Sequence, residues 1–122
     1  MHRPQCQNDR EGRRNMKCTE FNVAANDSAN LFVRNCVPRP TDRCGRTLVI
    51  IHGTSEHGGR YLHAAEEAVA RGWDVLIPDL RGHGRSDGIA VHIDRFEQYL
   101  QDLDTIWQYF ELNPERTAVL GH

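Results

Sequence analysis

The sequence has no long apolar run: its longest falls far short of the ~20 residues that a membrane-spanning helix needs, and its first residues are polar and arginine-rich where an export signal needs an apolar core. No transmembrane segment is expected, and a cytoplasmic location is. Nor is there an excess of charge of either sign. Fifteen Lys and Arg stand against seventeen Asp and Glu, a net −2, so no broad basic surface points to nucleic acid as a partner. There is no Cys-x-x-Cys to complete a zinc-finger ligand set, which leaves no metal site to assign. The four cysteines are Cys6, Cys18, Cys36 and Cys44. They could staple a secreted domain, but with no export signal they are read as free thiols. Gly-x-Gly-x-x-Gly and a P-loop lysine are also missing, so a nucleotide-binding enzyme ranks last and no cofactor is expected.

What is present fits one domain of 122 residues, with an ordinary apolar share of 39%. Residues 1–17 hold five Lys or Arg against two acids and almost nothing to bury, so a disordered basic leader is expected there. Met16 is a second candidate start. Over residues 18–37 two apolar stretches, Phe21 with Val23 and Leu31 to Val33, flank the cluster Asn26-Asp27-Ser28-Ala29-Asn30. This predicts a β-hairpin at a sheet edge, closed by Pro38 and Pro40.

The organising stretch follows. Leu48 to Ile51 is a continuous, β-branched apolar run that ends in His52-Gly53, the pattern of a strand buried on both faces of a parallel sheet. Gly53, Gly58 and Gly59 then allow a tight loop, and Tyr61, Leu62, Ala65, Ala68 and Val69 take up helical spacing until Arg71-Gly72 ends the helix. Val75 to Ile77 predicts a second buried strand, with Pro78 at its exit. Asp94-Arg-Phe-Glu97 has the form of a capping box, and Phe96, Tyr99, Leu100, Leu103, Ile106, Trp107 and Phe110 share one helical face. Asn113-Pro114 stops that helix before a third apolar run, Thr117 to Leu120. The predicted order is hairpin, then βαβαβ, in a mostly parallel α/β sheet.

Gly-x-Ser-x-Gly, the serine-nucleophile pattern, occurs once, as Gly84-Arg-Ser-Asp-Gly88. Ser86 lies several residues beyond its strand in a polar loop, whereas a nucleophile sits on a strained turn directly between strand and helix. A turn-stabilising hydroxyl is the expected role. The better candidate is Thr117-Ala-Val-Leu-Gly-His122, an apolar strand that delivers Gly121 and His122, the first two positions of that pattern, so that a nucleophile would come just after His122.

Three ordered motifs, Leu48-Val-Ile-Ile-His-Gly with Glu56-His-Gly-Gly-Arg-Tyr61, Pro78-Asp-Leu-Arg-Gly-His-Gly-Arg-Ser-Asp-Gly88, and Val119-Leu-Gly-His122, resemble the first half of an α/β-hydrolase of the monoacylglycerol lipase and lysophospholipase type. The resemblance covers residues 18–122 and implies the N-terminal part of that fold, truncated before the nucleophile elbow. It implies a serine esterase acting on a small ester or lipid. The backbone N–H of Thr54 would be one oxyanion donor, with His52, Gly53, Gly121 and His122 supporting the loop and elbow. The serine, acid and histidine of the triad come later in such chains, so no catalytic residue is assigned here and the 122-residue chain is expected to be inactive. The alternative is a non-catalytic binding or regulatory relic of the fold. His52, His57, His83, Glu56 and Asp79 are expected to hold loops rather than to move protons.

Overall fold

The computed structural model describes residues 16–53, 58–88 and 96–121. Five strands form one mixed sheet: β1 (Met16–Ala24), β2 (Asn30–Pro38), β3 (Thr47–Ile51), β4 (Asp74–Pro78) and β5 (Thr117–Gly121), in the spatial order β1-β2-β4-β3-β5. Among the described residues, α1 (Leu62–Ala70) lies in the connection from β3 to β4 and α2 (Phe96–Tyr109) in that from β4 to β5. The expected hairpin and βαβαβ order are both present.

The hairpin turns at the Asn/Asp/Ser cluster, where Ser28 takes a left-handed conformation (φ 70°) and its N–H donates to Ala25 O at 2.9 Å. β2 then pairs antiparallel with β4, while β3 pairs parallel with both β4 and β5. Alternation along the strands sends side chains to two cores. Val23, Leu31, Val33, Val49 and Leu76 pack on one face with Ile106 of α2. Cys36, Ile50, Val75 and Ile77 pack on the other with Ala65 and Val69 of α1. Burial of β3 and β4 on both faces is why their sequences read as unbroken apolar runs.

Gly72 ends α1 in the left-handed region (φ 93°), and a Cβ there would lie 2.6 Å from Asp42 O. Conformation and space thus both require glycine.

Four expectations need correction or fall outside the described residues. Met16 and Lys17, placed by composition in the leader, belong to β1, where they pair with Pro38 and Val37; the rest of the leader lies outside the described residues. Cys18 and Cys36 are not free thiols but form a disulfide, because the hairpin register makes them direct partners with Cα atoms 4.0 Å apart. Cys44 is free and exposed. The single apolar face of α2 is only partly buried: Ile106 is covered, but Phe96 and Leu100 are exposed, because the sheet reaches only part of the helix. Asp94, the cap residue expected for α2, lies outside the described residues.

Candidate active site

The crossover from β3 to β4 and the crossover from β4 to β5 place successive strands on opposite sides of β3, with α1 and α2 on opposite faces. The strand order therefore reverses at β3. Open α/β sheets take their ligands beyond the carboxyl ends of the strands at such a reversal. Three strand exits meet there: His52-Gly53 after β3, Asp79-Leu80 after β4, and Gly121 at the end of β5, whose Cα partner in β3 is Ile51. A Cβ on Gly121 would meet nothing within 4 Å, so its surroundings are open.

His52 is 2% exposed and bridges two of these exits. Its Nδ1–H donates to Gly53 O at 2.8 Å and its Nε2 accepts from the Leu80 N–H at 2.8 Å. The partners fix one neutral tautomer and occupy both ring nitrogens, so the ring holds loops and is not free to move a proton. His83 follows the same logic at Nδ1, which donates to Arg81 O at 2.9 Å. Its Nε2 is buried with no hydrogen-bond partner among the described residues, and its ring lies 5.1 Å from that of His52.

Asp79 is the most heavily bonded acid at these exits. Its Oδ1 accepts from Gly58 N–H at 2.6 Å and from Arg34 Nη1 at 3.2 Å, and its Oδ2 accepts from Arg85 N–H at 2.9 Å. The two guanidinium groups of Arg34 and Arg85 lie 4.7 Å and 4.1 Å from the centre of the Phe32 ring. Each also has an acid to offset its charge, Asp79 for Arg34 and Glu20 for Arg85. An open groove of ≈ 380 Å³ beside this cluster, between the hairpin and α1, is lined by Met16, Cys18, Glu20, Arg34, Leu62 and Glu66.

The Ser86 hydroxyl is engaged as both donor and acceptor. Its Oγ donates to Asp79 O at 2.6 Å and accepts from the Phe32 N–H at 2.8 Å, so beyond the turn-stabilising role expected for it, it stitches its loop to β2. The loop is fastened a second time by Arg81. This side chain forms two 2.9 Å bonds to Asp102 of α2 and bonds of 2.8 and 3.1 Å to Asp27 in the hairpin turn. Asp102 and Asp27 hold the guanidinium well above its ordinary pKa, Asp102 contributing most. Sequence reasoning missed this triad, because partners 21 and 54 residues apart leave no local pattern.

Of the site residues read from the sequence, His52, Gly53 and Gly121 are brought together. Thr54, Glu56, His57 and His122 lie outside the described residues. Among the described residues, no group of three His, Cys, Asp or Glu could hold a metal ion, and no helix is long and apolar enough to cross a membrane.

Residues 43–122, more than half of the chain, match the sequence model of a family described as serine aminopeptidase, S33. The chain belongs to that family. It is 42% identical over 59 residues to a monoacylglycerol lipase of Mycolicibacterium smegmatis, covering 48% of this chain and 21% of the relative. It is 38% identical over 85 residues to lysophospholipase L2 of Escherichia coli, covering 63% and 25%. The S33 chain thus spans no more than about a quarter of either relative's length. In structure it resembles an esterase from Exiguobacterium antarcticum with a TM-score of 0.71 at 18% identity, over 84% of this chain and 35% of that one. That likeness carries the fold: the chain has the architecture of an α/β-hydrolase.

Proposed function

We propose that the chain is the N-terminal part of a longer serine ester hydrolase that cleaves a small carboxylic ester, a monoacylglycerol or a lysophospholipid, through an acyl-enzyme. The observation that carries this reading is the parallel pairing of Ile51 with Gly121. It sets Gly121, which this reading takes as the first position of a nucleophile turn, beside the start of the His52-Gly53 loop. An acyl-transfer site needs that neighbourhood, because the N–H after the nucleophile and an N–H of the first loop must aim at one developing oxyanion. In this reading Thr54 supplies the loop N–H, His52 and Gly53 shape the loop, Gly121 and His122 shape the turn, and the nucleophile follows His122. Neither a cofactor, a metal nor a nucleic acid takes part. A cytoplasmic location also remains a proposal, and the Cys18–Cys36 disulfide weighs against it, since such bonds persist mainly in oxidising compartments.

The nucleotide sequence just downstream of the His122 codon tests the reading first. An open frame continuing Ser-x-Gly, followed by expression of the extended protein, should give turnover of p-nitrophenyl esters and labelling by a fluorophosphonate. The 122-residue chain should show neither, because an oxyanion donor has nothing to stabilise without a nucleophile. A stop codon at that point, or an inert extended protein, would instead favour a non-catalytic relic of the fold. Labelling of the short chain that is lost in Ser86→Ala would make Ser86 the nucleophile and overturn the assignment of roles.

A further inference from the structure

We propose that Asp79 is the positioning residue that fixes the exit of the loop after β3 and, through it, the oxyanion donor of the reaction. The inference rests on the ester hydrolase reading for its consequence, but the joint itself stands on geometry alone. The carboxylate of Asp79 is fully buried, and the two backbone N–H groups it accepts, from Gly58 and Arg85, belong to the loops after β3 and after β4. It therefore registers the two loops against each other at a second point, beyond the His52 bridge between Gly53 and Leu80.

The fit is close on the Gly58 side. A Cβ on Gly58 would lie 2.6 Å from Ile77 Cγ2 and 2.9 Å from Asp79 Oδ1, so the backbone reaches the carboxylate only because residue 58 is glycine. At the other end of the same loop His52 holds the Gly53 carbonyl. The loop is thus tied at Gly53 and at Gly58, the described residues on either side in sequence of Thr54, to which the ester hydrolase reading gives the oxyanion donor.

The joint also needs an ionised aspartate rather than an asparagine. Gly58, Arg85 and Arg34 present N–H donors to both oxygens, and only a carboxylate accepts at both. Asn would keep the volume and turn an NH₂ toward one of the backbone N–H groups. Arg34, bonded to Asp79 from β2 and stacked on the Phe32 ring, offsets the buried negative charge.

The test uses the extended protein. Asp79→Asn should lower kcat about 100-fold, the order expected for a displacement of roughly 1 Å in a reacting constellation, with KM little changed, and it should speed amide hydrogen exchange at Gly58. Gly58→Ala, which presses on the joint from the other side, should do the same, and the double variant should be no worse than either single one. Ile106→Ala, a cavity in the opposite core, should lower Tm and leave kcat unchanged, which separates positioning from general loss of stability. Unchanged kcat in Asp79→Asn, or unchanged exchange at Gly58, would overturn the proposal. If Asp79→Asn does not fold, Gly58→Ala decides on the same readouts. An unmodified extended protein with no esterase activity would sink the hydrolase reading, while exchange at Gly58 would still judge the joint.

Discussion

Arg81 shows how much of this fold rests on single side chains. Its guanidinium is shared between Asp102, which is buried on α2, and Asp27, which is exposed in the hairpin turn. Removing Asp102 leaves the largely buried guanidinium with only the exposed Asp27 as a partner, so Asp102→Ala in the extended protein should cost about 2 kcal/mol, read from urea midpoints. Asp27 differs because water competes for it. The Arg81 bond, followed by the Ala29 N–H, lowers its pKa below the ordinary carboxylate value. A depressed folded pKa contributes stability above the unfolded value of about 4, and loses it as pH falls through the folded one. Asp27→Asn should accordingly lower Tm at neutral pH, and the gap to the unmodified protein should close as the pH is taken below 4. A gap that persists undiminished in strong acid would mean that Asp27 acts through its turn geometry and not its charge.

Among the elements, the hairpin has the most to lose from a change of conditions. Among the described residues β1 is an edge strand, paired only with β2, and its side chains are mostly exposed. The disulfide between Cys18 and Cys36 closes a loop over a sequence separation of 18, for which chain entropy predicts about 3 kcal/mol of stabilisation. Dithiothreitol should therefore lower the Tm of the extended protein, and Cys18→Ser with Cys36→Ser should match the reduced form and lose the response. A Tm indifferent to reductant would place the thiols unbonded in solution. The exposed Cys44 offers the internal control, since Cys44→Ser should change neither value.

At the scale of the whole chain, the apolar surface is unevenly covered. Phe96 and Leu100 on α2 are 67% and 54% exposed, and Val119 and Leu120 on β5 are 53% and 47% exposed. The outer edge of β5 has no ladder partner among the described residues. A row of unpaired backbone groups flanked by apolar side chains is a template for association. The uncovered area also withholds part of the burial needed to offset roughly 1 to 2 kcal/mol of backbone entropy per ordered residue. The 122-residue chain on its own should bind ANS, unfold without a sharp transition and aggregate. Extending it along the fold should restore cooperative unfolding. A reversible, sharp transition from a monomeric short chain would show that these surfaces need no cover.

The sequence by itself determined the order of elements, the buried strands and the motifs that place the chain in its family. Each of these is written in near neighbours: β-branched runs for β3 and β4, glycines where the backbone must turn, a helical period over α1 and α2. The distance of Ser86 from its strand end is likewise a local property, read directly from the sequence. Only the tertiary structure decided what meets across the chain. The Cys18–Cys36 bond depends on the hairpin register, the Asp79 joint on three segments arriving at one carboxylate, the Arg81 triad on partners far apart in sequence, and the exposure of Phe96 on how far the sheet extends beneath α2. Side-chain hydrogen bonds and ion pairs between distant residues leave no period in the chain, because their geometry exists only once hydrophobic burial has packed the strands and helices around them.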